Sequence, residues 1–300
     1  MNIIEVMRKF ATQEDCLKYL EQIRWGDGVI CPYCGSTKVC HHQEKTKKRW
    51  QCWNCKKSFS VTVGTIFHQT HIPLQKWFIA ISLILNAKKG ISSCQLARDI
   101  QVHQETAWSM GHRIRKAMQQ KDGELLKGIV EMDETYVGGK PRKHAKKDDN
   151  DFPQNKRGRG TKKQAVVGMI ERKGNVKTHV AKDNDLKFGA LSELVKNHVD
   201  TESSALYTDE FKGYSGMNKI LEHKTVDHSA GVYSVDGIST NSMESFWAIL
   251  KRGIIGQFHH ISKEYMKKYL DEFCWRFNNK DNGSIFDNLL RNGILYQCRN

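Results

Sequence analysis

Two short cysteine pairs constrain this chain more than any other feature. Cys31-Pro32-Tyr33-Cys34 and Cys52-Trp53-Asn54-Cys55 share one internal spacing, and residues 35 to 51 lie between them. Each C-x2-C turn aims two thiolates at one centre, and two such turns at this separation are the pattern of a zinc ribbon. A tetrahedral four-thiolate site is closed and therefore structural, so Cys31, Cys34, Cys52 and Cys55 are expected to hold Zn2+. Cys40, His41 and His42 are alternative ligands without a matching knuckle. Cys16 and Cys274 stand at helical spacing among apolar residues and read as small hydrophobes.

Charge then narrows the partner. The 300 residues carry 48 Lys+Arg against 33 Asp+Glu, a formal net charge of +15. Such an excess favours a polyanion, nucleic acid before an anionic membrane. A hydrophobic content of 39% excludes a disordered chain. The longest apolar run, Trp77 to Leu85, is broken by Ser82 and flanked by Lys76 and Lys88. A membrane span needs about 20 apolar residues, so this run reads as a buried helix and no membrane partner is expected. The start, Met1-Asn2-Ile3-Ile4-Glu5, lacks the apolar stretch of an export signal. A cytosolic location follows as the expectation, in which the nine cysteines are not read as disulfides.

The length suggests roughly two domains, and the pattern divides the chain into three regions. Residues 1–70 hold an N-terminal helix and the ribbon, whose Lys56 and Lys57 with Trp53 suggest a DNA-touching face. Residues 71–125 are helical. Trp77, Ile81, Ile84 and Leu85 fall at offsets 0, +4, +7 and +8. Ser92 and Gln95 form a capping-box start to a short helix. After Gln101-Val102-His103 a second helix runs from Gln104 to Met118. Two short helices joined by a tight turn match a helix-turn-helix, in which the second helix enters the major groove. His103, Arg113 and Arg115 are its candidate DNA contacts; a plain helical hairpin with a solvated basic end explains the same pattern.

From residue 126 to 300 the periodicity becomes strand-like. Ile129–Val137 is a first strand, followed by a basic loop over 139–163 with ten Lys or Arg, among them Lys140, Arg142, Lys143 and Lys162. This loop reads as a phosphate-contacting arm or as a solvated charge run. Strands at Ala165–Ile170 and Val176–Val180, a helix at Leu186–Val199, and a strand at Ser204–Asp209 follow. A short helix at Phe211–Ile220, a strand near Lys224–Val226, and helices at Asn241–Arg252 and Ser262–Phe277 complete the pattern. This is the element order of an α/β ribonuclease-H-like fold, a mixed sheet with helices on its faces.

In that fold the first and fourth strands are neighbours, so Asp133 and Asp209 converge. On the helix after residue 240, Met243, Phe246, Trp247 and Leu250 form an apolar stripe, and Glu244 borders it. Lys251, two turns later, projects from the same edge, and Asn241 and Arg252 point further away. Strand alternation puts Glu131 on the same face as Asp133 and does not separate them. Three converging carboxylates need cations, and two Mg2+ ions about 4 Å apart are the expected solution for in-line attack on a phosphodiester.

Met132-Asp133-Glu134-Thr135-Tyr136-Val137-Gly138-Gly139-Lys140, Tyr207-Thr208-Asp209 and the run Asn241-Ser242-Met243-Glu244-Ser245-Phe246-Trp247 through Lys251-Arg252-Gly253 complete the picture, with Asp271-Glu272-Phe273 and Arg276-Phe277-Asn278 downstream. With the knuckles and the helix-turn-helix, the chain resembles bacterial insertion-sequence transposases of the DDE type with an N-terminal zinc ribbon, a group related to the eukaryotic Merlin elements. The resemblance implies a triad of Asp133, Asp209 and Glu244 with Lys251 as helper; Asn241 is the alternative third ligand by position. It further implies hydrolysis at each element end and attack of the freed 3′-OH on target DNA, without a covalent protein–DNA intermediate. Zinc would be structural and magnesium catalytic. Double-stranded DNA would be the partner, as terminal inverted repeats and as target, with Arg252 among its contacts. At least a homodimer would form on DNA, in the bacterial cytoplasm with the nucleoid. The competing class is a sequence-specific DNA-binding regulator that no longer cuts.

Overall fold

The structure, a computed structural model, describes residues 1–26, 28–44, 47–119, 124–138, 163–182, 185–226 and 240–295. The chain divides into two compact units, residues 1–119 with 281–300, and residues 120–280.

The first unit opens with α1 (Ile3–Lys9) and α2 (Gln13–Trp25). Thr12 starts α2 by accepting from the Asp15 backbone N–H while the Asp15 carboxylate accepts from that of Thr12, so two otherwise orphaned donors are satisfied. The ribbon follows as an antiparallel sheet of β1 (Val39–Glu44), β2 (Lys47–Cys52) and β3 (Ser58–Phe59). Then come α3 (Leu74–Asn86), α4 (Ser93–Ile100) and α5 (Gln104–Ala117). The four apolar positions of α3 named above are all buried. Ser92 caps α4 by accepting from the Gln95 N–H, and Gln101 ends it in a left-handed conformation that turns the chain into α5.

The second unit is built on β4 (Leu126–Val137), β5 (Gln164–Glu171), β6 (Val176–Val180), β7 (Val199–Thr208) and β8 (Glu222–Thr225), in sheet order β6-β5-β4-β7-β8. The first three are antiparallel neighbours, while β7 and β8 run parallel to β4. This is the ribonuclease-H-like order the sequence anticipates. One face is covered by α6 (Phe188–His198), packed on Val130, Met132 and Leu206. The other is covered by α7 (Asn241–Gly253) and α8 (Met266–Asn278), packed on Val166, Ile170 and Val176. The stretch expected as a helix at 211–220 is two 3-10 turns, Lys212–Tyr214 and Met217–Lys219, broken by Gly216 at φ +98°.

The C-terminal motif residues prove structural. Asn278 accepts from the Val176 N–H at 2.8 Å and donates to its carbonyl at 3.0 Å, so one side chain imitates a neighbouring strand along edge strand β6. Glu272 and Arg276 form a buried ion pair one turn apart. The last helix, α9 (Ile285–Leu295), differs from expectation: it packs in the first unit, not with the sheet. Phe286 lies 5.8 Å from Phe78, which lies 4.8 Å from Phe10, and Tyr19 donates to Asp287 at 2.6 Å.

Gly168 on β5 pairs directly with Asp133 on β4. A Cβ there would lie 2.6 Å from Trp247 Cζ2 and meet Met243 Cε as well, so only glycine lets α7 settle on the sheet at this point. Gly168→Ala is expected to lower stability by about 1–3 kcal/mol through overpacking. Urea unfolding checks it; an unchanged midpoint would contradict the close approach.

Candidate functional site

The register of the central strands places the two aspartates. Glu131 of β4 pairs with Tyr207 of β7 in a parallel ladder, so Asp133 and Asp209, each two residues further on, reach the same level. Asp209 follows the carboxyl end of β7, and Asp133 lies two residues past the last parallel pair of β4 with β7, the side on which open α/β sheets form their ligand crevices. One carboxylate oxygen from each of Asp133, Glu134 and Asp209 lies within 4.8 Å of the others. Glu134 is the member that sequence reasoning missed. Alternation sends it to the face opposite Asp133, where Tyr214 donates to its Oε2 at 2.9 Å. The β4–β7 pairing stops at Glu131, however, and beyond it the open edge of β4 lets both faces meet.

The electrostatics are those of a cation site. Burial, then the charges of Glu134 and Asp209, push the Asp133 carboxyl up from 3.8 to about 7. Two donors fix its orientation. The Glu134 backbone N–H reaches Oδ1 at 2.8 Å and the Trp247 indole N–H reaches Oδ2 at 3.1 Å. Trp247 appears in the sequence only as part of an apolar stripe; its polar edge gives no separate signal. Trp247→Phe keeps the ring but removes this donor, and is expected to weaken divalent-cation binding about tenfold, as for a hydrogen bond to a charged group. Calorimetric Mn2+ titration measures it; unaltered affinity would remove Trp247 from the site.

Glu131, on the same face as Asp133, has a different set of partners. Its carboxylate is fully buried and accepts from Arg172 Nε at 2.8 Å and Ser242 Oγ at 3.1 Å. It also accepts from the backbone N–H groups of Ser242 (2.8 Å) and Met243 (3.1 Å). Those amides are the unpaired N-terminal donors of α7, so strand β4 itself caps the helix. Arg172 in turn lies 5.0 Å over the Tyr207 ring on β7. One buried carboxylate thus ties together the strands bearing Asp133 and Asp209 and the helix bearing Trp247.

Met243, Phe246, Trp247 and Leu250 are buried as the stripe requires. Glu244 is exposed on the first turn of α7 and is not a member of the three-carboxylate group, so the expected triad is not brought together in that form. Asn241, Lys251 and Arg252 are also exposed on α7. His103, the N-cap of α5, is exposed, while the other two expected DNA contacts turn toward the protein, Arg113 being half-buried. Arg115 is buried, and Arg113 donates to the His68 carbonyl and lies 5.4 Å over Trp77. A helix interior that packs on α3 draws these guanidiniums inward. Lys140, Arg142, Lys143 and Lys162 lie outside the described residues.

In the ribbon, Cys31, Cys34, Cys52 and Cys55 form the second ligand group, with Sγ separations of 3.7 Å for Cys31–Cys55 and 3.6 Å for Cys34–Cys52. Zn–S bonds of about 2.3 Å at tetrahedral angles require about 3.8 Å between sulfurs, so the four thiols suit zinc. The backbone N–H groups of Cys55 and Asn54 lower the Cys52 thiol to about 6, which favours the ligating thiolate. Lys56 and Lys57 are exposed beside it.

A carboxylate cluster at the head of a ribonuclease-H-like sheet, carried with a four-thiolate ribbon, defines the class of ribonuclease-H-like transposases and nucleases. The family model described as the ISXO2-like transposase domain matches residues 125–278, and the transposase zinc-ribbon domain matches residues 11–58. The chain belongs to the ISXO2-like transposase family. A relative, an uncharacterized protein in the transposable element ISH50 of Halobacterium salinarum, is 27% identical over 280 residues, covering 90% of this chain and 92% of its own. An uncharacterized transposase-like protein of Haemophilus influenzae is 28% identical over 115 residues, covering 37% and 91%. Among solved structures, a Mos1 transposase paired-end complex is 14% identical and covers 72% of this chain and 78% of its own at a TM-score of 0.29. The strand order β6-β5-β4-β7-β8 itself defines the ribonuclease-H-like fold. Among the described residues, no helix is long and apolar enough to cross a membrane.

Proposed function

We propose that this transposase cleaves phosphodiester bonds at the ends of its DNA element and joins the freed strands to target DNA. The observation that carries this reading is the meeting of Asp133, Glu134 and Asp209 at the head of β4 and β7. An all-carboxylate donor set suits a hard divalent ion such as Mg2+. A pair of such ions, when bound, supplies activation of the attacking oxygen and neutralisation of the leaving one. The chain's own contribution is to hold the carboxylates in place: Trp247 and the Glu134 amide orient Asp133, Tyr214 orients Glu134, and the Phe211 N–H, donating at 3.0 Å, orients Asp209. Glu244 and Lys251 stand on the same helix as Trp247, from which the family resemblance takes its third acid and helper lysine.

Zinc in the ribbon holds the knuckles, and Lys56 and Lys57 meet DNA there. The α4–α5 pair acts as the helix-turn-helix, presenting His103 at the start of α5; the 139–163 arm and Arg252 track phosphates. Bringing two element ends together takes at least two copies of the chain.

Mg2+-dependent nicking of a labelled duplex bearing the terminal repeat tests the proposal. Asp209→Asn is expected to abolish nicking while duplex binding survives; wild-type cutting by this variant would refute the catalytic assignment. Glu134→Gln and Glu244→Gln identify the third carboxylate, which is Glu134 if its loss is the more severe. Joined strand-transfer product separates a transposase from a nuclease that only cuts, and binding without any nicking would favour the regulator.

A further inference from the structure

The two knuckles repeat one backbone turn with different residues at its costliest position. After Cys34 the chain passes through Gly35 at φ +72°; after Cys55 the equivalent place is Lys56 at φ +58°. Glycine adopts this left-handed conformation freely, whereas a lysine is strained there. The Lys56 ammonium lies 5.2 Å over the ring of Trp53, and the Lys57 ammonium lies 4.9 Å over the ring of Tyr33, on the other knuckle. These rings are not core: Trp53 is 58% and Tyr33 47% exposed. A separate aromatic set packs inside, with half-buried Trp25 of α2 edge-on against half-buried Trp50 and buried Phe59. The ribbon's tips therefore present two flat apolar rings and two adjacent cations to solvent.

We infer that the knuckle tips form a site for unpaired DNA nucleotides, with bases stacked on Trp53 and Tyr33 and phosphates met by Lys56 and Lys57. A duplex offers phosphates and base edges but keeps its base faces covered. Exposed aromatic rings gain most from a free base face, and adjoining lysines match the strand's charge. The inference rests on the DNA-cutting role proposed above, since cleavage at an element end is what frees strand termini.

Fluorescence anisotropy of the full chain with labelled dT12 and with a 12-base-pair duplex, in buffer without Mg2+, tests it. Trp53→Ala is expected to weaken dT12 binding about tenfold while changing duplex binding less than about threefold. Lys56→Gly is expected to weaken dT12 binding several-fold yet fold at least as stably with full zinc content, because glycine relaxes the turn. Unchanged dT12 affinity in zinc-replete Trp53→Ala, or equal losses for dT12 and duplex, would overturn the site in favour of plain phosphate contact. Failure of the catalytic proposal would show separately, as wild-type chain that binds DNA but never nicks it when Mg2+ is added.

Discussion

Asp133→Asn is expected to abolish Mg2+-dependent nicking and, at pH 8 without divalent ions, to make the fold more stable than wild type. Loss of a central ligand carboxylate removes at least about 10³-fold in rate, as for groups that act as a unit. The stability gain follows from the direction of the carboxyl's shift. The folded chain keeps the Asp133 proton up to about pH 7, whereas an unfolded chain releases it near 3.8. Between those values the folded state binds more protons, so its stability falls as pH rises and the deficit is complete above pH 7. That deficit is up to about 4 kcal/mol, less whatever solvent access to the half-buried site screens. Asparagine carries no charge and escapes it. Thermal melts at pH 5 and pH 8 check the prediction, and a variant less stable than wild type at pH 8 would contradict it. The same balance predicts that Mg2+ raises the wild-type melting temperature more at pH 8 than at pH 5, and does so little in Asp133→Asn.

Glu131→Ala carries the second large effect. It removes the acceptor for four donors at once: Arg172, the Ser242 hydroxyl and two α7 amides. Breaking a buried pair from one side costs about 3–5 kcal/mol, because the orphaned charge stays where it is. For a unit of this size that corresponds to a melting temperature lower by roughly 10 °C. The loss should be smaller in Glu131→Leu combined with Arg172→Met, which removes both charges and keeps apolar volume. A single-variant loss below about 1 kcal/mol would show that α7 is held by its apolar stripe alone. Nicking should fall with the α7 contact to Asp133, so Glu131→Ala is also expected to weaken cation binding at temperatures where it remains folded.

The parts legible in the sequence were those with strong local spacing. The knuckles, the α7 stripe and the Val130/Met132 against Glu131/Asp133 alternation each encode their own geometry, and the strand order followed from element order. What was not legible depends on where ladders stop and what packs across them. Glu134 joins the acidic group because β4 outruns β7, a fact about pairing length rather than residue type. Arg115 looks like a DNA contact by charge and lies on the buried face of α5. Gly168 and Trp247 matter through a close approach between a strand and a helix nearly 80 positions apart, and Glu131 gained its role from a helix start that no local pattern links to it.

Because α9 completes the hydrophobic core of the first unit, the ribbon-bearing part of the molecule cannot finish folding until the ribosome has passed residue 295, after the whole second unit. A message cut short between residues 119 and 285 yields an amino-terminal piece lacking Phe286, Leu289 and Leu290, which are buried in the intact chain. A laboratory fragment meant to carry the first unit alone would need residues 281–295 grafted back on.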